Sequence, residues 1–248
     1  MKKMYNFSEL THWCKGISAK VAQTKLPIND GSIESVKWLA LILMTADHIN
    51  HFLLKMQVPV MYEIGRLAMP IFGFVLAFNL ARPGAFERGI HLRTMKRLLI
   101  FGLLATPFYG VLHKWLPLNI LFTLLLVTYL IYIAEKDGKD SRLLFILMFC
   151  IAGFFVEYAW FGVAYCLAAW WFCKSPNLER GLLLLAITVS LWVTNLNFWA
   201  CAALPLIYLA SFSNIRIPRL RFVFYAYYPI HLALLLAIQK FAAISLPA

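Results

Sequence analysis

The chain is poor in charged residues. Only 14% of its 248 residues are Asp, Glu, Lys or Arg, and 62% are hydrophobic, whereas soluble domains have about 25% charged and about 45–50% apolar residues. Acidic side chains are the scarcer kind, with 11 Asp and Glu against 23 Lys and Arg. No stretch is polar enough for a separate soluble domain, because apolar runs of roughly bilayer-spanning length recur along most of the chain. This composition excludes an ordinary soluble protein and predicts a membrane domain.

Cysteine and nucleic-acid signatures are also missing. The five cysteines form no C-x-x-C pair and no Cys–His spacing, and most lie in apolar segments, so neither a disulfide framework nor a zinc site is predicted. The net charge of +12 resides in short connectors and does not cluster on a folded surface, which argues against a nucleic-acid partner. No cleavable signal peptide is evident.

The first 35 residues differ from the rest of the chain. Apolar side chains recur there at three- and four-residue spacing, from Met4 to Val21, while Lys15 and Lys20 lie off that stripe. This pattern predicts a cytoplasmic amphipathic helix on the membrane surface. Turn-forming residues over 26–32 then interrupt it. We therefore divide the chain into a tail, residues 1–35, and a transmembrane bundle, residues 36–248.

The bundle is predicted to be all-α and polytopic, with about nine spans. Tight turns are expected around Glu157 and around Asn195. Because the fifth to seventh predicted spans are short, the alternative is that two of them form one re-entrant pair. The predicted spans are 36–54, 62–81, 96–112, 118–134, 142–156, 158–173, 180–194, 197–213 and 222–242.

Basic residues orient this bundle. If the N-terminus lies inside, Lys55, Lys114 and Lys240 are the only Lys or Arg in outside segments, and Arg66 lies within a span. All other basic residues then lie on the cytoplasmic side, as the positive-inside rule requires. The sequence therefore predicts a cytoplasmic N-terminus and an external C-terminus.

Ionisable side chains inside the first two spans are the strongest functional signal, since such groups are normally paired and often functional. In the first span, Asp47 and His51 are one turn apart with Asn50 beside them, and His48 points about 100° away. Arg66 enters the second span at a similar depth, which predicts an Asp47–Arg66 ion pair. An ion pair that only joins the helices is the alternative. One ion pair does not account for His48, His51 and Asn50, and these additional polar groups favour a functional site.

The last span carries a second polar group. His231 is predicted to lie within the membrane beside Tyr228, just after Pro229, although a histidine that is merely hydrogen-bonded to another helix remains an alternative. Asn119 begins the fourth span, where it could equally be a helix cap. A metal site built from these histidines has a weak pattern, and none is predicted. Histidine beside a carboxylate favours proton transfer, and hence acyl or group transfer.

Four stretches carry a resemblance to a known family: residues 37–50, 65–72, 119–123 and 227–231. In their order and spacing they resemble the TraX family, membrane proteins named for the acetylase that modifies the N-terminus of F-type conjugative pilin. The resemblance implies an acyltransferase-like bundle in the bacterial inner membrane, with acetyl-CoA as co-substrate and a pilin subunit as partner. A non-enzymatic pilin assembly factor and a proton-coupled small-molecule transporter remain alternatives.

With this resemblance, each polar group receives an expected role. His48, oriented by Asp47, is the expected general base, and Arg66 holds Asp47 or stabilises the oxyanion. The expected substrate-binding residues are His51, Asn50, Asn119, Tyr228 and His231. Basic side chains on the cytoplasmic side are expected to bind the phosphates of acetyl-CoA, although ordinary positive-inside loops would look the same; these are Arg93, Arg97, Arg219 and Arg221.

Overall fold

The computed structural model describes residues 28–136, 138–212, 217, 220 and 222–245. Within these ranges every regular element is a helix, which confirms the all-α prediction. Most of the predicted amphipathic tail lies outside the described residues. The helices are α1 (Asp30–Phe52), α2 (Pro59–Gly65), α3 (Ala68–Leu80), α4 (Ile90–Leu112), α5 (Ile120–Lys136), α6 (Lys139–Phe155), α7 (Ala159–Lys174), α8 (Leu178–Ser190), α9 (Trp192–Asn195), a 3₁₀ helix (Trp199–Ala202), α10 (Ala203–Ser211) and α11 (Val223–Ser245).

The first helix begins six residues earlier than the predicted span. Asn29 is its N-cap, and the Asn29 side-chain oxygen accepts hydrogen bonds from the backbone N–H of Ser32 at 2.7 Å and from its hydroxyl at 3.0 Å. Asp30 follows in the first turn, where a negative charge is favourable. The polar residues that predict a turn therefore start the helix instead.

Two further predicted spans differ from the helices observed. The second span is divided, because α2 ends at Gly65 and α3 begins at Ala68, with Arg66 at the interruption. The third begins at Ile90 and not at residue 96, so Arg93 and Arg97 belong to the first turns of α4. A helix can continue past the hydrocarbon core at such residues, because the carbon chain of an arginine covers apolar surface while its guanidinium stays in the polar membrane–water interface.

Many large apolar side chains lie on the outside of the bundle. Leu103, Ile146, Ile230 and Phe241 are each more than half exposed, as lipid-facing residues are. Among the described residues, three helical stretches are long and apolar enough to cross a membrane, namely Pro59–Leu80, Ile90–Leu112 and Leu178–Asn195. The architecture is therefore that of a helical membrane protein. The count of nine spans and the cytoplasmic N-terminus remain predictions.

Two apolar clusters hold the helices together. The larger is centred on α3 and α7, where Ile71, Ala77 and Tyr165 are fully buried and the Tyr165 hydroxyl donates to the Pro70 carbonyl at 2.9 Å. The smaller lies between α1, α4, α5 and α11 and includes Leu98 and Leu232. Tyr228 belongs to this second cluster, and its ring packs against His48 and His231.

Candidate active site

Asp47 and Arg66 form the ion pair that the sequence predicts. The Arg66 Nη2 donates to Asp47 Oδ2, and the two side chains are only 15% and 13% exposed. Arg66 Nε also donates to the Tyr62 carbonyl at 3.2 Å, and its guanidinium lies 4.3 Å from the centre of the Tyr62 ring. The pair thus joins α1 to the interruption between α2 and α3.

Gly65 makes this close approach possible. A Cβ built on Gly65 would lie 2.4 Å from the Asp47 Cβ and 2.7 Å from its Cγ, distances that real carbon atoms do not reach. The sequence-based expectation that Gly65 permits close helix contact is therefore confirmed.

We expect Gly65→Ala to separate α1 from α2 and to weaken the Asp47–Arg66 pair. Overpacking of this kind typically costs about 1–3 kcal/mol. A lowered denaturation midpoint of the detergent-solubilised protein, followed by tryptophan fluorescence, would show it. Gly181→Ala is the control, because the nearest atom to a Cβ at Gly181 lies 3.5 Å away. Equal midpoints for the two variants would contradict the assignment.

His48 and His231 form a direct pair across α1 and α11. His48 Nδ1 lies 2.7 Å from His231 Nε2, and the two rings are nearly parallel, with centroids 5.0 Å apart. The expected partner of His48 was Asp47. The structure instead places the Asp47 carboxylate on Arg66 and His231 on His48.

The hydrogen bonds of this pair define which nitrogens carry protons. His231 Nδ1 lies 3.0 Å from the Tyr227 carbonyl, and a carbonyl can only accept, so Nδ1 of His231 is the donor. In a neutral ring its Nε2 is then an acceptor, and His48 Nδ1 must donate to it. This leaves Nε2 of neutral His48 with its lone pair, able to take up a proton.

Two tyrosines of α11 complete this part of the site. The Tyr227 hydroxyl lies 2.7 Å from the hydroxyl of Thr45, tying α11 to α1 one turn before His48. The Tyr228 ring is buried and packs edge-on against both imidazoles, with centroids 6.4 Å from His48 and 5.4 Å from His231. Tyr228 and His231 therefore come together with His48, as the sequence predicts.

Asn50 and His51 lie elsewhere. Asn50 is fully buried, and its amide bonds both backbone groups of Val58, at 2.9 and 3.0 Å, which fixes the loop after α1. His51 is exposed and stacks on His113, with centroids 5.5 Å apart. The backbone bonds of Asn50 account for its burial without a substrate.

Asn119 is a helix cap. Its side-chain oxygen accepts from the Leu121 N–H at 3.1 Å, and its amide nitrogen donates to the Gly102 carbonyl at 3.2 Å and lies 3.3 Å from the Thr106 hydroxyl. These contacts occupy both ends of the amide. The capping alternative considered from the sequence is the one that the geometry supports.

A cavity of about 420 Å³ leads toward the histidine pair. Its walls are mostly apolar, and Met44 and Tyr228, both next to His48, line it. Basic side chains from the starts of α1 and α4 and from the loop before α4 line it as well; these are Lys37, Arg88, Arg93 and Arg97. The cavity thus joins the predicted cytoplasmic face to the neighbourhood of His48.

Two of the four arginines expected to bind acetyl-CoA line this cavity. Arg93 and Arg97 are four residues apart and so share one face of α4. Arg219 and Arg221 lie outside the described residues. Arg88 belongs to the same basic segment between the second and third predicted spans, whereas Lys37 was not singled out by the sequence, although its positive charge on the predicted inner side was a usable signal.

Glu157 is the main residue that the sequence analysis missed. It lies in the turn between α6 and α7, outside the helices, where it was expected to be only part of a tight turn. Burial raises the pKa of its carboxyl to about 7, against the lowering influence of Arg66. A carboxylate between two apolar helices with no basic neighbour in sequence was the available signal.

Fold and site together define a helical membrane protein with a paired histidine, His48, close to a cavity that is lined in part by basic side chains. Comparison with known proteins identifies its family. The family model described as TraX protein matches residues 32–239, and the chain belongs to this family.

Two relatives illustrate how far the similarity extends. The chain is 24% identical over 244 residues to the probable fimbrial assembly protein FimC, serogroup H1, of Dichelobacter nodosus, covering 86% of this chain and 97% of that protein. It is 32% identical over 113 residues to the uncharacterized protein RP591 of Rickettsia prowazekii (strain Madrid E), covering 45% and 40% of the two chains. No solved structure matches.

Proposed function

We propose that this chain is a membrane-embedded acetyltransferase, located in the bacterial inner membrane, that transfers the acetyl group of acetyl-CoA to the N-terminal amine of a pilin subunit. The family match and the fimbrial assembly name of the D. nodosus relative support a role connected with pili. The acetyl transfer itself rests on the site described above.

One observation supports the proposal most strongly. His48 Nε2 keeps a free lone pair because Nδ1 donates to His231. Tyr228, which packs against this imidazole, lines a cavity that basic side chains line as well. A base and an anion-binding entrance are the two elements that amine acylation by a charged thioester needs.

His48 is the proposed general base and His231 the residue that positions it. The amine nitrogen attacks the thioester carbonyl carbon, a C–N bond forms, and His48 Nε2 accepts the proton that this nitrogen sheds. When the C–S bond breaks, the sulfur leaves and takes this proton from His48. The Nδ1–H bond to His231 keeps the base in the required tautomer throughout. Arg66 remains on Asp47 in this scheme.

Acetyl-CoA enters this scheme from the cytoplasmic side. Arg93 and Arg97 suit its phosphates because guanidinium groups bind phosphate through two parallel hydrogen bonds. The apolar walls suit the uncharged arm that carries the thioester, and Tyr228 stands between the inner end of the cavity and the two imidazoles.

We expect the double replacement Arg93→Gln and Arg97→Gln to raise the KM for acetyl-CoA by about tenfold or more, because each lost contact to a phosphate is worth about 1.5–3 kcal/mol. The kcat should change little, since neither side chain reaches the histidines. Initial rates at varied acetyl-CoA concentration would measure both. Arg142→Gln is the matched control, an exposed arginine on the same predicted side that does not line the cavity. A KM equal to that of the control would contradict the phosphate assignment.

The proposed function is tested on the pilin. Cells with and without the gene are compared by intact-mass spectrometry of the mature subunit. A mass difference of one acetyl group is expected. An unchanged pilin mass with fewer pili would support the assembly-factor alternative, and substrate movement without release of CoA would support the transporter.

A further inference from the structure

Three polar side chains around Arg66 and Tyr62 carry buried atoms without hydrogen-bond partners. Within the part of the chain that the structure describes, Asp47 Oδ1 and Glu157 Oε2 have none, and neither does the side-chain amide of Asn195. Asn195 is fully buried, so its amide is shielded from water as well. Buried polar groups are normally satisfied, and unsatisfied ones need an explanation.

These groups belong to one region of the molecule. Arg66 occupies the other oxygen of Asp47, and both Arg66 and Asp47 interact electrostatically with Glu157. Asn195 approaches from a different helix, where its carbonyl accepts a hydrogen bond from the Tyr62 hydroxyl at 2.9 Å. The Tyr62 ring in turn lies against the Arg66 guanidinium.

The charges around Arg66 do not balance when both carboxyls are ionised. Asp47 and Glu157 bring two negative charges, and Arg66 neutralises one of them. A buried, uncompensated charge is unfavourable, so a cation or a proton must complete the cluster. A primary ammonium group fits this requirement, because it carries one positive charge and three N–H donors for the two vacant carboxylate oxygens.

We propose that Glu157 and Asp47 form a binding site for the N-terminal ammonium group of the acceptor polypeptide, with the Asn195 amide available to its first peptide group. This inference rests on the proposed function, because the acceptor amine must reach His48. It adds Glu157 and Asn195 to the site, and it gives Asp47 a contact with the acceptor in place of the expected contact with His48.

The backbone holds Glu157 in place for this task. Its N–H donates to the Leu118 carbonyl at 2.9 Å, and its carbonyl accepts from the Thr123 hydroxyl at 2.8 Å. The next residue, Tyr158, has a φ of 64°, a left-handed conformation that few non-glycine residues adopt. The carboxylate is therefore carried by a fixed turn and not by a free loop.

Glu157 can also remove the first proton of the reaction. An acceptor ammonium must lose one proton before its nitrogen can attack the thioester, and Glu157 Oε2 accepts this proton from the bound group. The second proton goes to His48 and then to the departing sulfur. Burial raises the pKa of the Glu157 carboxyl, which makes it a better proton acceptor than an exposed glutamate.

Direct binding to the full-length protein in lipid nanodiscs tests the site. The probes are tetra-alanine amide, which has a free amine, and its N-acetylated form, which has no charge at that end. Wild type should bind the free amine at least about tenfold more tightly than the blocked peptide. Glu157→Gln should remove that preference. Glu63→Gln, which deletes a carboxylate on α2, should keep it.

The outcomes separate this proposal from the proposed function. Equal binding of both peptides by wild type overturns the site without relying on any variant, and so does an unchanged preference in a folded Glu157→Gln protein. A preference that depends on Glu157 in a protein that transfers no acetyl group supports the site and refutes the acetyltransferase. Acetyl transfer by a protein that shows no preference for the free amine refutes the site and supports the acetyltransferase.

Discussion

His48→Ala is expected to lower the rate of acetyl transfer by about 10²–10⁴-fold, the usual contribution of a general base. The alanine removes the only nitrogen that the hydrogen bonds of the pair leave free to accept a proton. The measurement is the acetylated fraction of mature pilin by mass spectrometry in cells that carry the variant, together with immunoblotting of membranes to show that the protein is inserted.

His113→Ala is the matched control for this experiment. His113 is exposed just after α4, where it stacks on His51 and Tyr109 and not on the His48–His231 pair. Its loss should leave pilin acetylation unchanged. Fully acetylated pilin in the inserted His48→Ala variant would show that another group is the base.

Asp47→Asn is expected to lower the free energy of unfolding by about 1.5–3 kcal/mol, because it weakens the hydrogen bond between a carboxylate and the Arg66 guanidinium, while Glu157 still balances the charge of Arg66. Stability would be followed by thermal denaturation in detergent. Glu63→Gln removes a carboxylate from α2 that has no part in the pair, and surface changes of this kind stay within about 0.5 kcal/mol.

The double variant Asp47→Asn with Arg66→Met separates structure from chemistry. Removing both charges should restore part of the lost stability, since an apolar replacement of a buried pair is often close to neutral. If stability returns while acetyl transfer stays lost, the pair contributes to the reaction. If both return, the pair serves only to join the helices.

The all-α fold and the neighbours of His48 were predictable because they follow from local rules. Apolar runs give helices, and an ionisable group in such a run needs a partner, which led directly to the Asp47–Arg66 pair. His231 and Tyr228 were singled out for the same reason. Each of these residues is conspicuous within its own segment of sequence.

Relations between segments were harder to predict. The partner of His48 depends on how α11 packs against α1, whereas the roles assigned with the family resemblance gave His48 its sequence neighbour Asp47 as partner. Glu157 is an ordinary turn residue until folding buries it near Arg66. Residues 26–32 are polar and were predicted to form a turn, whereas Asn29 caps the first helix. The basic residues before position 96 were predicted to lie in a loop, whereas α4 begins at Ile90.

Tyr228 also bears on how the cell keeps its ion gradients. A membrane protein with an internal cavity can leak protons if water fills a continuous channel through it, because such water conducts protons. Here the cavity ends at the buried ring of Tyr228, and the imidazoles behind it are packed against that ring. Under the proposed function, a thioester in the cavity would reach the imidazoles only after the Tyr228 ring turns aside, and the ring in its present position would also stop water from running past it.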